Sequence, residues 1–330
     1  MRKTMSILAI SLAGLGLAAL ALQGATAQAP AFPSKQIRML YGFAAGGSGD
    51  MAARLLADVA TRTLGQQVIV ENRTGANGMI AAEGAARSPA DGHTVLFCTT
   101  GNMTIVTELP GLQLAVNPAT DLMGVSQLLR STFGMVVGKD SPYRTMQDVV
   151  EAARAKPATI SYATPGIGSV QHLSSELLAQ KLGLKMVHVP YRGTGPALND
   201  LAAGIVDAYF GDPATLGLIR SGKARGMAVT SPGRWSVLPD TPALAEAVPG
   251  YQSENWYAIA APPKTPEPVM AVLTTAILKV MADPVVKAKY DEAGLHPATL
   301  PRAEYIAFLQ RDLKTWGDVV AKGNIKIDEN

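Results

Sequence analysis

The sequence predicts an α/β fold in two domains, each a parallel sheet with helices on both faces. Three observations support this prediction: short apolar runs with strand spacing alternate with longer runs of helical spacing, a glycine loop joins a strand to a helix at two places, and the chain has 330 residues. Repeated strand–helix units are typical of parallel sheets covered by helices. About 300 residues beyond an N-terminal leader suit two domains of roughly 150 residues each.

The first residues have the pattern of a secretory signal peptide. Arg2 and Lys3 precede an uncharged apolar run from residue 7 to 22, and Ala25-Thr26-Ala27 follows that run. The run is shorter than the roughly 20 residues that span a bilayer. We therefore expect cleavage near Ala27-Gln28. The cleavage point has no neighbouring cysteine for a lipid anchor, so we expect a soluble exported protein.

The composition excludes several classes of function. The chain has 29 basic and 26 acidic residues, two of the basic ones in the leader, so the mature chain is nearly neutral and gives no electrostatic support for nucleic-acid binding. Cys98 is the only cysteine, and its apolar surroundings at 94–98 indicate a buried, inert thiol. The four histidines lack the spacing of metal ligands, so we expect neither a metal nor a cofactor.

The first series of elements contains the first glycine loop. In QIRMLYGFAAGGSGD (36–50) a strand ends at a loop where Gly46 and Gly47 let backbone N–H groups approach a ligand, and Asp50 is expected to cap the helix that Gly65 ends. A helix N-terminus behind such a loop favours an anion. The loop has neither the Walker lysine nor the dinucleotide-binding spacing. A strand (67–72), a helix (77–86) and a strand (93–98) follow.

The second series repeats this layout. A strand over 132–140 precedes a helix that Thr145 and Asp148 begin as a capping box. A strand over 159–164 leads through the second glycine loop, 165–168, to Ser169 and a helix that reaches Leu182. The remaining predicted elements are a strand (185–191), a helix (193–204), strands (205–211 and 224–231), a strand with a Pro-rich turn (254–266), and helices over 266–282, 284–294 and 301–322, the first with Thr265 as cap and Pro266 at its first position.

The two glycine loops are expected to face each other across a ligand cleft between the domains. Ser48 and Ser169 offer hydroxyl donors beside the glycines, and Thr164 and Thr194 lie on neighbouring loops; plain helix capping is the alternative role for each. His172 falls off the apolar stripe of its helix, where it either contacts a ligand or serves as a structural histidine.

Six stretches in this order resemble the substrate-binding proteins of tripartite tricarboxylate transporters, of the Bug (Bordetella uptake gene) type, also called the TctC family. The resemblance covers nearly the whole mature chain. The stretches are FPSKQIRMLYGFAAGGSGDMAARLLA (32–57), VIVENRTGANGMIAAEGAARSPADGHTVLF (68–97), ISYATPGIGSVQHLSSELL (160–178), VHVPYRGTGPALNDLAAGIVDAYF (187–210), GKARGMAVTSPGRWSVLPDTPALAEAVPGY (222–251) and WYAIAAPPKTP (256–266).

The resemblance implies a type II periplasmic binding protein fold, with two α/β lobes and the ligand cleft between them. After the signal peptide (1–27), lobe 1 would comprise 28–130 and a mainly helical return, 255–330, and lobe 2 would comprise 131–254. Backbone donors and ordered water would hold a ligand carboxylate. The implied contacts are Phe43, Ala44, Ala45, Gly46, Gly47 and Ser48 in lobe 1, and Thr164, Gly166, Gly168, Ser169 and His172 in lobe 2.

This chain also departs from the family pattern. Where the family often has Phe-Asp at the end of a later strand, this chain has Phe210-Gly211-Asp212, and the segment that follows is one residue shorter. Asp212 and Thr194 complete the candidate ligand contacts, and this departure leaves open whether Asp212 touches the ligand. The family loop is usually richer in proline and serine. Here the replacements are expected to loosen the first loop and widen that end of the pocket; they are Gly42, Ala44, Ala45 and Gly49.

These observations predict a periplasmic, monomeric receptor without enzyme activity. It would capture a small mono- or dicarboxylate by lobe closure and deliver it to the integral-membrane subunits of a tripartite tricarboxylate transporter or to a sensor protein. One alternative is an exported serine hydrolase with Ser169 or Ser48 as nucleophile and His172 as base, although no third group to orient the histidine is evident. Another is a structural interaction protein that binds no small acid. The sequence leaves the identity of the acid open.

Overall fold

The computed structural model describes residues 32–191 and 194–325, and within them eleven strands form two separate sheets. The predicted signal peptide, residues 1–27, lies outside the described residues. The strands are β1 (Ile37–Tyr41), β2 (Val68–Asn72), β3 (Thr94–Thr99), β4 (Met123–Thr132), β5 (Gly134–Gly138), β6 (Ser161–Thr164), β7 (Val187–Pro190), β8 (Ala208–Gly211), β9 (Ala224–Val229), β10 (Glu254–Ala261) and β11 (Leu295–Leu300).

Helices cover both sheets. Three short turns of other helix types complete the pattern, a π-helical turn at Gly101–Ile105 and 3₁₀ turns at Ala76–Gly78 and Pro213–Thr215. The α-helices are α1 (Ser48–Leu64), α2 (Met79–Ala86), α3 (Val106–Glu108), α4 (Pro118–Asp121), α5 (Met146–Ala155), α6 (Val170–Leu182), α7 (Thr194–Ala202), α8 (Leu216–Arg220), α9 (Leu244–Ala247), α10 (Glu267–Ala282), α11 (Pro284–Glu292) and α12 (Arg302–Gly323).

The two sheets have the orders β11-β4-β10-β3-β1-β2 and β7-β6-β8-β5-β9. We call the first sheet with its helices the first lobe, and the second sheet with its helices the second lobe. The α/β class is confirmed. The prediction of parallel sheets is wrong in part, because β10 and β11 run antiparallel to β4, and β5 runs antiparallel to β8 and β9. A strand that passes straight from one sheet into the other has no crossover helix to set it parallel to its neighbour.

The chain passes between the sheets twice, once from β4 to β5 and once between β9 and β10. The two passages are bonded to each other: the Thr230 N–H donates to the Phe133 carbonyl, and the Phe133 N–H donates to Thr230 Oγ1, both at 2.9 Å. These bonds fix the geometry of the connection between the lobes. The lobe boundaries near residues 131 and 255 stay a prediction.

Two strands of the first sheet were not predicted, β4 and β11. In β4 the apolar run is interrupted by Ser126 and Gln127, which are fully buried because their side chains donate to the carbonyls of Leu300 and Ala298. In β11, Pro297 hides the strand pattern, but proline is tolerated because β11 lies at the edge of the sheet. Buried polar residues and an edge proline therefore concealed two neighbouring strands at this end of the sheet.

The helix boundaries differ from the predictions at two N-termini. α1 begins at Ser48 with Gly47 as N-cap, so Asp50 lies in the first turn and not at the cap; Gly65 ends the helix in the left-handed region, as predicted. Thr265 does not cap α10, because its hydroxyl donates to the Pro262 carbonyl, and Pro266 is the N-cap rather than the first helical residue. The capping box that begins α5 is confirmed.

Each lobe has its own apolar clusters, two in the first lobe and three in the second, and one further cluster belongs to both lobes. This shared cluster joins α12 of the first lobe to α6 of the second, and Gln180 on α6 also donates to the Val319 carbonyl at 3.0 Å. Cys98 lies in the first-lobe core, where burial raises its pKa to about 12, so the inert thiol is confirmed. The members of the shared cluster are Ile105, Leu109, Phe133, Val170, Leu173, Trp316, Val319, Val320 and Ile325.

Candidate ligand-binding site

The first glycine loop, residues 42–47, is held from behind by a buried carboxylate. Asp50 accepts hydrogen bonds from the Gly46 N–H (3.1 Å), the Asn72 side-chain amide (2.8 Å) and the Arg54 guanidinium (2.9 and 3.0 Å). Burial opposes the ionisation of Asp50, but the hydrogen bonds from Arg54, Asn72 and Gly46 outweigh it and lower the pKa. The Gly46 N–H therefore donates to a residue of the protein, and Asp50 holds the loop in position at the start of α1.

The front of this loop is open. Ala44, Ala45, Gly46 and Gly47 are exposed, and a side-chain carbon built on Gly46 or Gly47 would meet no atom within 4 Å. Among the residues that the structure describes, no side chain caps the first turn of α1. The unpaired N–H groups of a helix N-terminus attract an anion, and here a small ligand has room to reach them.

The expected loosening of the loop is not seen at two of its four positions. A side-chain carbon on Gly42 would lie 2.4 Å from the Gly78 α-carbon, and one on Gly49 would lie 2.0 Å from the Tyr41 hydroxyl. Both glycines are thus required by close packing. Only the exposed Ala44 and Ala45 fit the idea of a wider entrance.

The second glycine loop is closed by its own hydrogen bonds. The Ser169 hydroxyl donates to the Gly166 carbonyl at 2.7 Å and accepts from the His172 N–H at 3.2 Å, so Ser169 is the N-cap of α6. The Gly168 N–H donates to His172 Nδ1 at 3.2 Å. Since Ser169 is not bonded to the His172 ring, this geometry gives no support to the serine hydrolase alternative.

Three aromatic rings stack behind the second loop. The His172 and His188 rings are parallel with centroids 3.9 Å apart, and Tyr162 stacks on the other face of His188 at 5.0 Å. Burial, and then the neighbouring His188, lower the pKa of His172 to about 3, and burial lowers the pKa of His188 to about 4. A neutral His172 is what the Gly168 hydrogen bond requires, because Nδ1 must accept.

The candidate threonines are occupied within the second lobe. Thr164 is fully buried, and its hydroxyl pairs with His188 Nε2 at 2.7 Å. Thr194 is half-buried and accepts a hydrogen bond from the Tyr209 hydroxyl at 3.2 Å. Of the two, only Thr194 has exposed surface.

The two lobes touch at both loops. The Ser48 hydroxyl, at the start of α1, donates to Asp212 Oδ2 at 3.2 Å, and the Asn77 side-chain amide donates to the Gly168 carbonyl at 3.0 Å. The structure therefore brings the predicted residues Ser48 and Asp212 together across the cleft. Burial raises the pKa of the Asp212 carboxyl, and hydrogen bonds from Ala214 and Ser48 oppose the rise.

Tyrosine hydroxyls line the first-lobe side of this contact. Tyr257 Oη lies 3.4 Å from Ser48 Oγ, and burial raises the pKa of Tyr257 to about 12. Burial, followed by the charges of Tyr257, Asp212 and Asp50, also raises the pKa of Tyr41. These phenols are neutral hydrogen-bond donors and acceptors at any physiological pH.

Sequence reasoning missed two asparagines next to the loops. Asn77 adopts a left-handed backbone (φ 52°) that lets its side chain reach Gly168, and the Asn-Gly pair at 77–78 was the available signal. Asn102 is fully buried; its Oδ1 accepts from the Thr99 N–H at 2.9 Å, whereas Nδ2 has no partner among the residues described. Nothing in the local sequence marks Asn102.

Other features give no competing site. A surface groove of about 400 Å³ lies between α1 and α10, at the opposite end of α1 from Ser48. Within residues 32–191 and 194–325, no three His, Cys, Asp or Glu side chains lie close enough together to hold a metal ion. No single helix of this part of the chain has the length and apolar character of a membrane span; α10 and α11 together do, with a 70° bend between them.

Comparison with known proteins gives consistent matches over most of the chain. A UPF0065 protein of Cupriavidus necator is 32% identical over 316 residues, which cover 96% of this chain and 94% of that protein. Rpa4515 of R. palustris, solved with adipate, is 32% identical, with a TM-score of 0.83 over 89% of this chain and 99% of the other. MatC of Rhodopseudomonas palustris, with bound malate, is 30% identical, with a TM-score of 0.78 over 88% and 100%.

Residues 52–325 match the family described as the tripartite tricarboxylate transporter family receptor. The solved relatives share the arrangement of two α/β lobes found here. The family resemblance seen in the sequence is therefore confirmed. The chain belongs to the receptors of the tripartite tricarboxylate transporter family, and its fold is that of the periplasmic binding proteins.

Proposed function

We propose that the protein is an exported receptor that captures a small organic acid, a mono- or dicarboxylate, and closes its lobes on it. The observation that carries this proposal is that both glycine loops adjoin a contact between the lobes. Ser48, directly after the first loop, bonds to Asp212 of the second lobe, and Gly168 of the second loop bonds to Asn77 of the first lobe. The adipate and malate in two related structures support a carboxylate as the ligand. The receptor family to which the chain belongs supports binding without catalysis.

In this proposal the ligand carboxylate lies against the open face of Gly46 and Gly47, where the first backbone N–H groups of α1, that of Ser48 among them, donate to it. Phe43, Ala44 and Ala45 form the entrance. The second lobe contributes from the opposite side of the cleft. Its direct contacts are Gly166, Thr194 and Asp212, and the residues that hold its loop in shape are Thr164, Gly168, Ser169 and His172.

Lobe closure follows from a ligand that contacts both loops. Such a ligand favours the closed arrangement by the affinity that it gains from the second lobe. The closed receptor would then be recognised by the integral-membrane subunits of a tripartite tricarboxylate transporter or by a sensor protein. We propose that it acts as a monomer, after cleavage near Ala27-Gln28 and release into the periplasm, with lobe 1 formed by 28–130 and 255–330 and lobe 2 by 131–254.

A thermal-shift screen of the refolded, ligand-stripped protein against small carboxylates tests the proposal. A ligand at 100 times its dissociation constant should stabilise the protein by about 2.7 kcal/mol, and small-angle scattering should then record a smaller radius of gyration. Turnover of generic esters that is lost in Ser169→Ala would favour the hydrolase. A protein that no small acid stabilises would favour the structural alternative.

A further inference from the structure

Asp212 is held in one orientation at the cleft. It follows β8, and its Oδ1 accepts the Ala214 N–H at 2.9 Å, which makes it the N-cap of the turn Pro213–Thr215. The remaining oxygen, Oδ2, accepts from the Ser48 hydroxyl of the first lobe at 3.2 Å. Each carboxylate oxygen accepts more than one hydrogen bond, so Asp212 retains acceptor capacity toward a ligand beside α1.

The groups around Asp212 are hydroxyls rather than cations. Burial raises the pKa of Tyr41, Tyr209 and Tyr257, and the nearby charge of Asp212 adds to the rise for each of them. Among the residues described, the hydrogen bonds that the Asp212 carboxylate accepts come from the Ala214 N–H and the Ser48 hydroxyl, and this carboxylate forms no ion pair. The Arg54 guanidinium, at the first-lobe loop, is bonded to Asp50 and Asn72 instead.

Two groups with opposite charge preferences, the N-terminus of α1 and the Asp212 carboxylate, are thus linked by one hydrogen bond. The N-terminus of α1 favours a carboxylate, whereas Asp212 repels a second carboxylate and attracts a protonated amine. Ser48 belongs to the first turn of α1 and also touches Asp212, so the two ligand groups must be close neighbours in the ligand. The carboxylate and the ammonium of an α-amino acid have this spacing.

We propose, on the basis of the proposed function, that Asp212 makes the receptor selective for acids that carry a protonated amine next to their carboxylate, that is, for α-amino acids over unsubstituted acids of the same length. Asp212 is then the residue that determines ligand class. The first glycine loop and α1 recognise the carboxylate, which all of these acids share.

Calorimetric titration of the ligand-stripped protein with matched pairs tests this inference. The pairs are butyrate, valerate, succinate, glutarate and adipate, each against its α-amino counterpart. A hydrogen bond to a charged group contributes about 1.5–3 kcal/mol, so the parent should bind the amino member of a pair about 10- to 150-fold more tightly. In Asp212→Asn this ratio should fall toward one, while binding of the unsubstituted acid is kept or improved.

The variants separate selectivity from structure. Asparagine keeps the cap that Asp212 gives to the Ala214 N–H, so Asp212→Asn should fold like the parent. Asp318→Asn removes an equal charge from the exposed face of α12 and should keep the parent ratio. Arg192 adjoins the second lobe's loops in sequence but lies outside the described residues, and Arg192→Gln should also keep the preference for the amino acid.

Three results would overturn the inference while leaving the proposed function intact. Equal affinity of the parent for both members of every pair removes the selectivity. An equal gain in affinity for all acids in Asp212→Asn means that the Asp212 carboxylate only competes with ligand carboxylates for the N-terminus of α1. Loss of the preference in Arg192→Gln, with Asp212→Asn unchanged, assigns the selectivity to the arginine. If no acid of either kind binds the parent, the proposed function fails, and this inference fails with it.

Discussion

The side-chain amide of Asn77, in the first lobe, donates a hydrogen bond to the carbonyl oxygen of Gly168, in the second lobe, at 3.0 Å. Asn77 reaches this carbonyl because its own backbone is left-handed. The bond therefore links the turn after β2 to the second glycine loop, and it exists only while the lobes are close together. It is a direct contribution of the protein to its closed arrangement.

Asn77→Gly should weaken ligand binding without unfolding the protein. Glycine keeps the left-handed backbone and removes only the side chain, so the loss is one interlobe hydrogen bond of about 0.5–1.5 kcal/mol, or roughly 2- to 12-fold in affinity for the acid found in the screen. Calorimetry measures this. Asn324→Gly, the same change at a left-handed position that ends α12, is the control and should leave affinity unchanged. Equal affinities of parent and Asn77→Gly would refute the role of this bond.

Gly47→Asp should abolish carboxylate binding. The Gly47 backbone (φ −80°, ψ 170°) suits any residue, and a side chain there meets nothing within 4 Å, so the fold should be kept. The new carboxylate would take the place of the ligand at α1 and repel it. Gly233→Asp, at another exposed glycine with open space, is the matched control. Binding that survives in Gly47→Asp would mean that the loop is only a turn.

Ser169→Ala should lower stability more than affinity. Ser169 caps α6, and the loss of such a cap costs about 0.5–2 kcal/mol. Denaturant unfolding should detect this cost, and Ser169→Asp, which restores an N-cap, should recover most of it. The sequence alone suggested a direct contact with the ligand. A variant with full stability and weak binding would return Ser169 to that role.

His172 should make the protein less stable in mild acid. The pKa of His172 is about 3 in the folded chain, whereas in the unfolded chain it has its ordinary value of about 6.5. Between these values the unfolded state holds more protons, so stability falls as the pH is lowered, by up to about 1.4 kcal/mol per pH unit from this one residue.

The variant His172→Asn tests this dependence, because the asparagine Oδ1 can accept the Gly168 N–H but does not titrate. Unfolding of the parent and the variant is compared at several values between about pH 4 and about pH 7. The variant should have the shallower slope; His188, whose pKa is also lowered, keeps part of the dependence in both. Identical slopes would contradict the assignment.

The sequence was sufficient to predict the two glycine loops, but it did not predict the contacts between the two lobes. Glycines at 46–47 and 166–168 have open space or left-handed backbone in the structure, and each precedes a helix as predicted. Contacts between distant residues left no local pattern. Nothing around Asn102 signals a buried amide, and the partnership of Ser48 with Asp212 joins residues 164 positions apart. The spacing of His188 in the sequence excludes it as a metal ligand but gives no sign that its ring stacks on His172.

The shared cluster limits how the receptor can open. Val170 and Leu173, in the first turn of α6 after Ser169, pack with Trp316 and Val319 of α12. Full separation of the lobes would therefore expose this apolar surface to water. We therefore expect this cluster to stay packed when the receptor opens, so that opening is a rotation of one lobe about the cluster and not a full separation of the two lobes.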